Sequence, residues 1–338
     1  MNQTQKDNQI KELEIIKMIP NLRALVVGDI MLDVYEFCNT VDSKPIDSEK
    51  LGKRAYKAKK TIKTLGGAGY VAANLASLDV KTSLIGLTGQ DENYFKICEL
   101  ANEKSIKHGL IQDANRPTTT KTRLYLDDEY LLRRDTEVTK KLGRKVCAKL
   151  LDEVFGLLPS TDVVVLSDYD KGIFTAESAK PIIKQCRFLG IPVIVDFKPV
   201  NKDLFYGVNI IAPNATEAAE LIKDFSLKKL KSSCKNLHDL LGCLNTVVTL
   251  GEYGICGIES TKFFHIPGYD VVPADRAGCG DTVRAGLAIG AALGIPLRIA
   301  AKISNDAATI IVQKTGTSVL SRVELQSFIL ENEYQKRW

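Results

Sequence analysis

The segment DRAGCGDT (275–282) carries the residue types that could do chemistry, and the apolar stretch VRAGLAIGAALG follows directly. Gly278 and Gly280, two positions apart, let the backbone approach a ligand closely. The free N–H groups at the start of the following helix point forward, and the helix dipole favours negative charge in front of them. These features predict an anion site here. Asp281 also fits a plain N-terminal cap, and that alternative stays open at this point.

Phosphoryl transfer is the chemistry that such a segment would support. The amides of Gly278–Asp281, with Cys279 inside the turn, would hold a γ-phosphate as charge develops on it. The Asp281 carboxylate would take the proton from an acceptor hydroxyl. An oriented general base typically supplies ~10²–10⁴-fold in rate.

Strands and helices alternate over the rest of the chain and must position this segment. The predicted strands are Leu22–Val27, Thr82–Leu87, Asp162–Leu166, Pro192–Val195, Asn209–Ala212 and Thr246–Leu250. The predicted helices are the stretch that follows GGAGY (66–70), Glu177–Leu189, Glu217–Lys223, Cys234–Leu244, Asp281–Leu293 and Leu297–Gln313. This alternation predicts right-handed βαβ units and a mostly parallel sheet covered on both faces.

Polar residues and glycines directly follow five of these strands. They are Gly28-Asp29, Ser167-Asp168, Asp196-Phe197-Lys198, Pro213-Asn214 and Gly251-Glu252. Ligands of open α/β sheets bind outside the carboxyl ends of the strands. Five such clusters therefore indicate a site at that edge.

Two segments do not fit the main core. Residues 34–64 are polar and basic, and TTTKTRLYLDDEYLLRRD (118–135) alternates and pivots on Asp127-Asp128, as a hairpin would. Together they could form a small antiparallel sheet beside the core. The run EKLGKRAYKAKKTIK (49–63) holds seven basic residues. It fits a solvated face or a groove for small anions, and no recognised nucleic-acid module accompanies it.

The composition limits the number of domains and the classes of protein that are possible. A chain of 338 residues with 45% hydrophobic and 26% charged residues suits one large domain with an appendage, or two ordinary domains. No apolar stretch approaches the ~20 residues that span a bilayer, and the N-terminus lacks a secretory h-region; we expect a cytoplasmic protein without a membrane partner. Eight scattered cysteines without a CxxC pair, and three histidines, argue against zinc and disulfide frameworks.

The segment around Asp281 resembles the GAGD signature of ribokinase-like (PfkB) carbohydrate kinases, with Cys279 where alanine is usual. Further motifs agree in order over roughly residues 23–320: VVGDIMLD, GGAGYVAANLASL, PTTTKTRL, LLRRDTE, LSDYDKG, VDFKP, APNATE, VTLGEYG and NDAATIIVQKTGTS. The first, third and fourth resemble the D-glycero-β-D-manno-heptose-7-phosphate kinase branch. The resemblance implies a three-layer α/β fold with a mostly parallel central sheet and a small antiparallel β lid. We expect an N-terminal extension (1–21) and a kinase domain (22–338) with its lid at about 34–65 and 118–135.

The resemblance also implies roles for particular residues. Asp33 would bind sugar hydroxyls, and Gly66 and Gly67 would pack against the sugar. Asn214 and Glu217, spaced as NxxE, would organise Mg²⁺ through water, although the same spacing fits a capping box. The nucleotide would contact Lys198, near phosphate, together with Asn214, Thr249, Gly251, Gly254 and, near the adenine, Asn305. Our own candidates for a substrate phosphate are Lys121, Arg123 and Arg133, for which a solvated strand face is the alternative.

Some positions depart from the family pattern. Tyr70 stands where the heptose-kinase branch usually has a sugar-contacting Asn, and SKPIDSEK replaces its usual lid segment. Arg276 and Ala277 replace a hydrophobic residue and Thr, which would alter phosphate or monovalent-cation contacts. These departures leave the sugar open. The sequence has no HxGH motif before it ends at Trp338, so we expect no nucleotidyltransferase domain.

The expected function is ATP- and Mg²⁺-dependent phosphorylation of a sugar or sugar phosphate, with a monovalent cation as an open third cofactor. Heptose 7-phosphate is the favoured acceptor, and another hexose, a pentose or a nucleoside is the alternative. A homodimer through the lid is the expected partner arrangement. A nucleotide-binding pseudoenzyme on the same fold is a rival. A dehydrogenase, suggested by GxGxxA at 67–72, needs a buried strand where the charged KKTIKT stands, and the P-loop signature GxxxxGK[ST] is absent.

Overall fold

The computed structural model describes residues 12–314, 316 and 318–331. Its strands are β1 (Arg23–Gly28), β2 (Ile30–Cys38), β3 (Lys44–Pro45), β4 (Arg54–Ala55), β5 (Ala58–Gly67), β6 (Lys81–Thr88), β7 (Lys107–Gln112), β8 (Thr120–Leu126), β9 (Glu129–Thr136), β10 (Val163–Ser167), β11 (Val193–Asp196), β12 (Ile210–Ile211), β13 (Asn245–Thr249), β14 (Ile255–Glu259) and β15 (Lys262–Ile266). Its helices are α1 (12–18), α2 (Ala68–Ser77), α3 (Glu92–Glu103), α4 (Arg144–Leu157), α5 (Ala176–Leu189), α6 (Ala215–Leu221), α7 (Leu230–Leu241), α8 (Cys279–Ala292), α9 (Leu297–Val312) and α10 (Arg322–Glu331). Every strand and helix named in the sequence analysis is present.

The central sheet has nine strands in the order β15-β14-β13-β12-β11-β10-β1-β6-β7. The strands from β13 to β7 in this order are mutually parallel, whereas β14 pairs antiparallel with both of its neighbours. The predicted mostly parallel sheet is confirmed. The carboxyl ends of its parallel strands lie at one edge, where the polar clusters noted above follow them.

Both faces of this sheet are buried. Along β1, Ala24 and Val26 join one apolar cluster, and Leu25 and Val27 join the other, because successive side chains of a strand point to opposite faces. Helices α1, α2, α3, α8, α9 and α10 contribute to the first cluster, and α4 to α7 contribute to the second. A continuous apolar strand between two helical layers is the pattern of a parallel sheet.

A second sheet, which we call the lid, has the strand order β5-β2-β8-β9. Two of its pairings are antiparallel, and β2 with β8 is parallel. Asp127 and Asp128 both have positive φ, as a type I′ hairpin requires, so the predicted pivot is confirmed. Residues 34–64 are not all outside the core, since Val34 packs into the first apolar cluster.

The lid is joined to the central sheet with hardly any linker. Only Asp29 separates β1 from β2. Its amide donates to the Ser167 carbonyl (3.0 Å), and its carbonyl accepts from the Ala68 amide (2.9 Å). The return connection runs directly from β5 into α2 through Gly67, whose φ is +56°. A Cβ at Gly67 would lie 2.4 Å from the Asp29 carbonyl oxygen, so glycine is required there.

The N-terminal segment packs on the domain where it is described. Ile15, Ile16 and Ile19 are buried in the first apolar cluster; residues 1–11 of the expected extension lie outside the described residues. Of the eight cysteines, all free thiols, six are buried, which agrees with the expectation that most are core residues. Among the described residues, no helix combines the length and apolar character needed to cross a membrane.

Candidate active site

The turn before α8 has the geometry of an anion site. Gly278 precedes the helix in the left-handed region, with φ +79° and ψ −5°, which glycine adopts at low cost. The amides of Cys279, Gly280 and Asp281 follow in the first helical turn, where N–H groups have no acceptor within the helix. The predicted catalytic residues therefore lie in one turn that can present several donors to an anion.

Asp281 lies in this turn and is 9% exposed. Its Oδ1 accepts hydrogen bonds from the Tyr169 hydroxyl (2.7 Å) and from Arg284 Nη1 (3.0 Å). Burial raises the pKa of Asp281, and the charge of Arg284 is the largest influence that opposes this rise. The carboxylate does not make the side-chain hydrogen bond of an N-cap, because Gly278 holds the cap position. The plain-cap alternative thus fails on position.

Two partners of Asp281 were not singled out from the sequence. Tyr169 follows the Ser167-Asp168 cluster at the end of β10. Arg284 lies three residues after Asp281, so Arg284 and Asp281 share one face of α8. Arg284 is buried, and its Nη2 lies 2.6 Å from Oδ1 of the buried Asp196. The i,i+3 spacing to Asp281 was the available signal for Arg284. Asp196, on β11, was named among the polar residues that follow the predicted strands, but nothing in the sequence indicated that it pairs with Arg284.

Lys198, Asn214 and Glu217 also come together at this edge. Lys198 Nζ is 2.7 Å from Glu217 Oε1 and 5.7 Å from the centroid of the Tyr169 ring. Asn214 Oδ1 accepts from the Glu217 amide (2.9 Å), and Glu217 Oε2 accepts from the Asn214 amide (3.0 Å). The capping-box interpretation of this pair is therefore correct, and the remaining oxygen contact of Glu217 goes to Lys198.

The other predicted nucleotide residues surround the end of β13. Thr249 forms an isolated backbone bridge with Asn214. Gly251 and Gly254 have φ of +61° and +86°, and open space surrounds the Cβ position of Gly251. Asn305, on α9, is buried and donates from Nδ2 to the Pro267 carbonyl at 3.2 Å. Its side-chain amide therefore supports the loop after β15.

Asp33 and Arg123 face each other on the lid strands β2 and β8. Arg123 Nη1 lies 2.7 Å from Asp33 Oδ1, and the guanidinium lies over the Tyr35 ring, 5.1 Å from its centroid. A Cβ at Gly66 would lie 2.4 Å from Asp33 Oδ2, so glycine leaves room for that carboxylate. The charge of Asp33 contributes to the raised pKa of Asp281. The predicted sugar-binding carboxylate of Asp33 and the predicted catalytic carboxylate of Asp281 are thus electrostatically connected.

Lys121 and Arg133 lie on the same lid strands. Lys121 is opposite Asp33 and also opposite Asp135, whereas Arg133 is opposite Arg123. Burial lowers the pKa of Lys121, and the charge of Arg133 lowers it further. Arg133 pairs with Asp135 at 2.9 Å and is about half exposed. Three cations on neighbouring strands can receive an anionic group.

Tyr70 packs against the anion turn itself. It is 3% exposed, and its hydroxyl donates to the Ser318 carbonyl. A Cβ at Gly278 would lie 2.1 Å from Tyr70 Cε1, so the ring is in close contact with that glycine. Burial and then the charge of Asp281 raise the pKa of Tyr70. The side chain that departs from the family pattern therefore borders the predicted anion site at Gly278.

The loop after α9 reaches the same turn. Asp275 Oδ1 accepts from the Ala277 amide (2.8 Å), and its Oδ2 accepts from the Gly316 amide (3.2 Å). Arg276 is exposed. Part of the closing motif, at Thr315 and Thr317, lies outside the described residues.

The donor groups present fit a mostly hydrated magnesium ion. Among residues 12–314, 316 and 318–331, no three His, Cys, Asp or Glu side chains are arranged to hold a metal. Both carboxylate oxygens of Glu217 already have partners. Mg²⁺ usually keeps several waters and takes further ligands from substrate phosphates. A water-mediated role for Asn214 and Glu217 is compatible with these contacts.

A mostly parallel sheet covered by helices on both faces, with a second β sheet beside it, is a ribokinase-like α/β fold. The pfkB family of carbohydrate kinases matches residues 22–323, and the chain belongs to this family. Two relatives, each described as bifunctional protein HldE, support the assignment. The protein of Bradyrhizobium diazoefficiens is 32% identical over 95% of this chain, and that of Rhodopseudomonas palustris is 33% identical over 94%. The matches span 65% of each relative's own length.

Solved structures show the same fold at low sequence identity. Phosphofructokinase-2 from Escherichia coli, in complex with substrates and products, has a TM-score of 0.75 and 15% identity, covering 91% of this chain and 98% of that one. A putative ribokinase from Agrobacterium tumefaciens has a TM-score of 0.70 and 20% identity, covering 92% and 98%. These structures confirm the predicted fold class, and the pfkB family match confirms the predicted class of carbohydrate kinase.

Proposed function

We propose that the protein transfers the γ-phosphoryl group of ATP to a sugar hydroxyl, with heptose 7-phosphate as the favoured acceptor and the 1,7-bisphosphate as product. The observation that carries the proposal is the position of Asp281. Its carboxylate lies in the same helical turn as the bare amides of α8 and within the electrostatic influence of Asp33 on the lid. A base, an anion site and a sugar-binding carboxylate are the parts that this reaction needs.

Each group has a distinct task in this proposal. Asp33 and Arg123 orient the acceptor, and Asp281 takes the hydroxyl proton as the new O–P bond forms. The amides of Gly278–Asp281 stabilise the charge on the transferred group while the bond to ADP breaks. Mg²⁺ would neutralise phosphate charge near Asn214 and Glu217. Lys198, which pairs with Glu217, would meet the same phosphates, and Thr249, Gly251 and Gly254 would contact the nucleotide.

The preference for a phosphorylated sugar has two supports. Lys121, Arg123 and Arg133 form a cationic group on the lid, and a phosphate would supply the counter-charge that Asp33 and Asp135 provide only in part. The lid motifs resemble the heptose-phosphate kinase branch, and relatives described as HldE cover nearly the whole chain. A hexose, a pentose or a nucleoside remains the alternative acceptor, because Tyr70 replaces the usual Asn.

The remaining cofactor and partner assignments follow from the family and the lid. ATP and a divalent metal are expected of a family member, and the monovalent cation and the cytoplasmic location stay predictions. We also propose a homodimer through the lid, because its edge strand β9 exposes Tyr130, Leu131 and Leu132. Sedimentation should show a dimer that Leu131→Asp dissociates; a monomeric wild type would end this proposal.

A panel of sugars and sugar phosphates with ATP and Mg²⁺, read by ADP release, tests the function. The heptose 7-phosphate reaction should be fastest. Asp281→Asn should lower turnover ~10²–10⁴-fold while calorimetry shows unchanged ATP affinity. Asp203→Asn is the matched control, since that side chain is 89% exposed and its loss should change nothing. If no acceptor gave ADP release, or if Asp281→Asn kept full turnover, the proposed function would be refuted. ATP binding without turnover by the wild type would favour the pseudoenzyme alternative.

A further inference from the structure

A buried arginine connects the Asp281 carboxylate to a second buried carboxylate. Arg284, 7% exposed, lies 3.0 Å from Asp281 Oδ1 through Nη1 and 2.6 Å from Asp196 Oδ1 through Nη2. Asp281 and Asp196 belong to different elements, α8 and β11. A planar guanidinium can contact both at once through separate N–H groups: Arg284 donates a hydrogen bond to Asp281 and forms an ion pair with Asp196.

The contacts of Asp281 are all on one oxygen. Tyr169 donates its hydroxyl hydrogen to Oδ1, and Arg284 donates to the same atom. Among the described residues, Oδ2 accepts no side-chain hydrogen bond, and the Asp281 side chain keeps 12% exposure. An oxygen of this kind is available to an incoming hydroxyl.

We propose that Arg284 is a positioning residue for phosphoryl transfer: anchored by Asp196, it holds Asp281 by Oδ1 and so fixes Oδ2 as the oxygen that receives the acceptor proton. The inference rests on the proposed function for its catalytic meaning. Arg284 itself touches neither substrate. It acts through the carboxylate, whose rotation about its last side-chain bond would otherwise be restrained by Tyr169 alone.

The charges around Asp281 give Arg284 a second effect. From α8 itself, Arg284 lowers the pKa of Asp281, and Tyr169 at the end of β10 also lowers it. Asp33 on the lid raises it. Besides burial, the charge of Asp281 in turn raises the pKa of Asp196 on β11, of Tyr70 on α2 and of Cys279. Arg284 is therefore the largest influence that favours the ionised form of Asp281, which is the form that a base needs.

A purely structural role is the competing explanation. A buried Asp196 needs a partner, so Arg284→Met alone would leave an unpaired charge and could unfold the protein for that reason. The double variant Arg284→Met with Asp196→Asn removes the ion pair as a unit. If Arg284 served only to neutralise Asp196, this double variant would behave as wild type.

Two readouts on the double variant test the inference. Turnover at saturating substrates should fall about 100-fold, the scale of a misplaced catalytic group, with ATP affinity unchanged. The acidic limb of the kcat–pH profile should move to higher pH, since Asp281 has lost its cation. The single variant Arg284→Lys should keep only part of the wild-type turnover, because a lysine cannot bridge both carboxylates. A double variant with wild-type turnover and an unmoved acidic limb would overturn the inference.

A third readout does not need turnover and separates this inference from the proposed function. Carboxyl ¹³C titration of Asp281, assigned by the signal missing in Asp281→Asn, should give a higher midpoint in the double variant than in wild type. An unchanged midpoint overturns the role of Arg284 even in an active enzyme. A wild type that releases no ADP with any acceptor refutes the kinase function, whatever the titration shows.

Discussion

The contact between Gly278 and Tyr70 yields a prediction whose size follows from geometry. Gly278 has φ +79°, and a Cβ there would lie 2.1 Å from Tyr70 Cε1 and 2.7 Å from Cζ. Real Cβ atoms do not approach other atoms so closely, so Gly278→Ala must displace either the ring or the anion turn. The ring is buried and its hydroxyl is bound to the Ser318 carbonyl. It has little room to move.

Two penalties add in the single variant. A left-handed conformation costs a residue with a Cβ about 1–2 kcal/mol. Overpacking of a filled site typically costs about 1–3 kcal/mol. Gly278→Ala should therefore lower the free energy of unfolding by about 2–5 kcal/mol. Tyr70→Asn removes the ring, so in that background only the backbone penalty remains. The two substitutions should be coupled by about 1–3 kcal/mol.

Equilibrium urea denaturation of the wild type, both single variants and the double variant measures this coupling. Gly156→Ala is the matched control, because that helical glycine has open space around its Cβ position and alanine should leave stability unchanged or raise it by about 0.4–1 kcal/mol. Coupling below about 0.5 kcal/mol, the range of independent sites, would refute the contact between the ring and the turn.

Three further predictions concern other parts of the site. Arg123→Met should raise the KM for the acceptor about 10–100-fold with little change in the KM for ATP, because Asp33 loses a charge-assisted hydrogen bond; steady-state kinetics in each substrate checks this, and an effect on ATP alone would contradict it. Glu217→Gln, which removes the ion pair of Lys198, should raise the Mg²⁺ concentration needed for half-maximal turnover several-fold; an unchanged Mg²⁺ titration would argue against a role near the metal. Burial raises the pKa of Asp29 to about 7, so the stability due to its proton is complete below about pH 4 and is lost as the pH rises through about 7. Between pH 5 and pH 8, Asp29→Asn should therefore lose about 3 kcal/mol less unfolding free energy than wild type, and equal losses in denaturant titrations at both values would show this wrong.

Local sequence patterns were sufficient to predict the helices and strands of the core. The predicted strands at residues 22–27 and 162–166 each contain an unbroken apolar run, at 24–27 and 163–166, and each lies within one residue of an observed strand. A strand buried on both faces needs no polar alternation. The Gly278–Asp281 segment was readable for a similar reason, since glycine spacing and an apolar helix define a helix N-terminus locally.

Contacts between residues far apart in the chain were harder to predict from the sequence. Strand β2 is mostly apolar, but its second half borders the basic residues that follow and was grouped with them in the polar segment 34–64. That grouping concealed a strand that pairs on both sides and buries Val34. Arg284 pairs with a residue 88 positions earlier, and Tyr169 reaches Asp281 across 112 positions. Pairings of this kind depend on how strands are ordered in the sheet. A single sequence does not encode that order in any local pattern.

The single residue Asp29 connects the central sheet to the lid, so a rotation of its backbone would move the whole lid. Asp33 lies four residues beyond that joint, or ~13 Å at the usual rise of a strand. A hinge rotation of about 10° at Asp29 would carry the Asp33 carboxylate roughly 2 Å, more than a hydrogen bond tolerates. Small torsional changes at this one residue would therefore change how far the Asp33 carboxylate lies from an acceptor bound as proposed above. The hydrogen bond from the Ala68 amide to the Asp29 carbonyl and the pairing of Ile30 with Gly67 resist such changes.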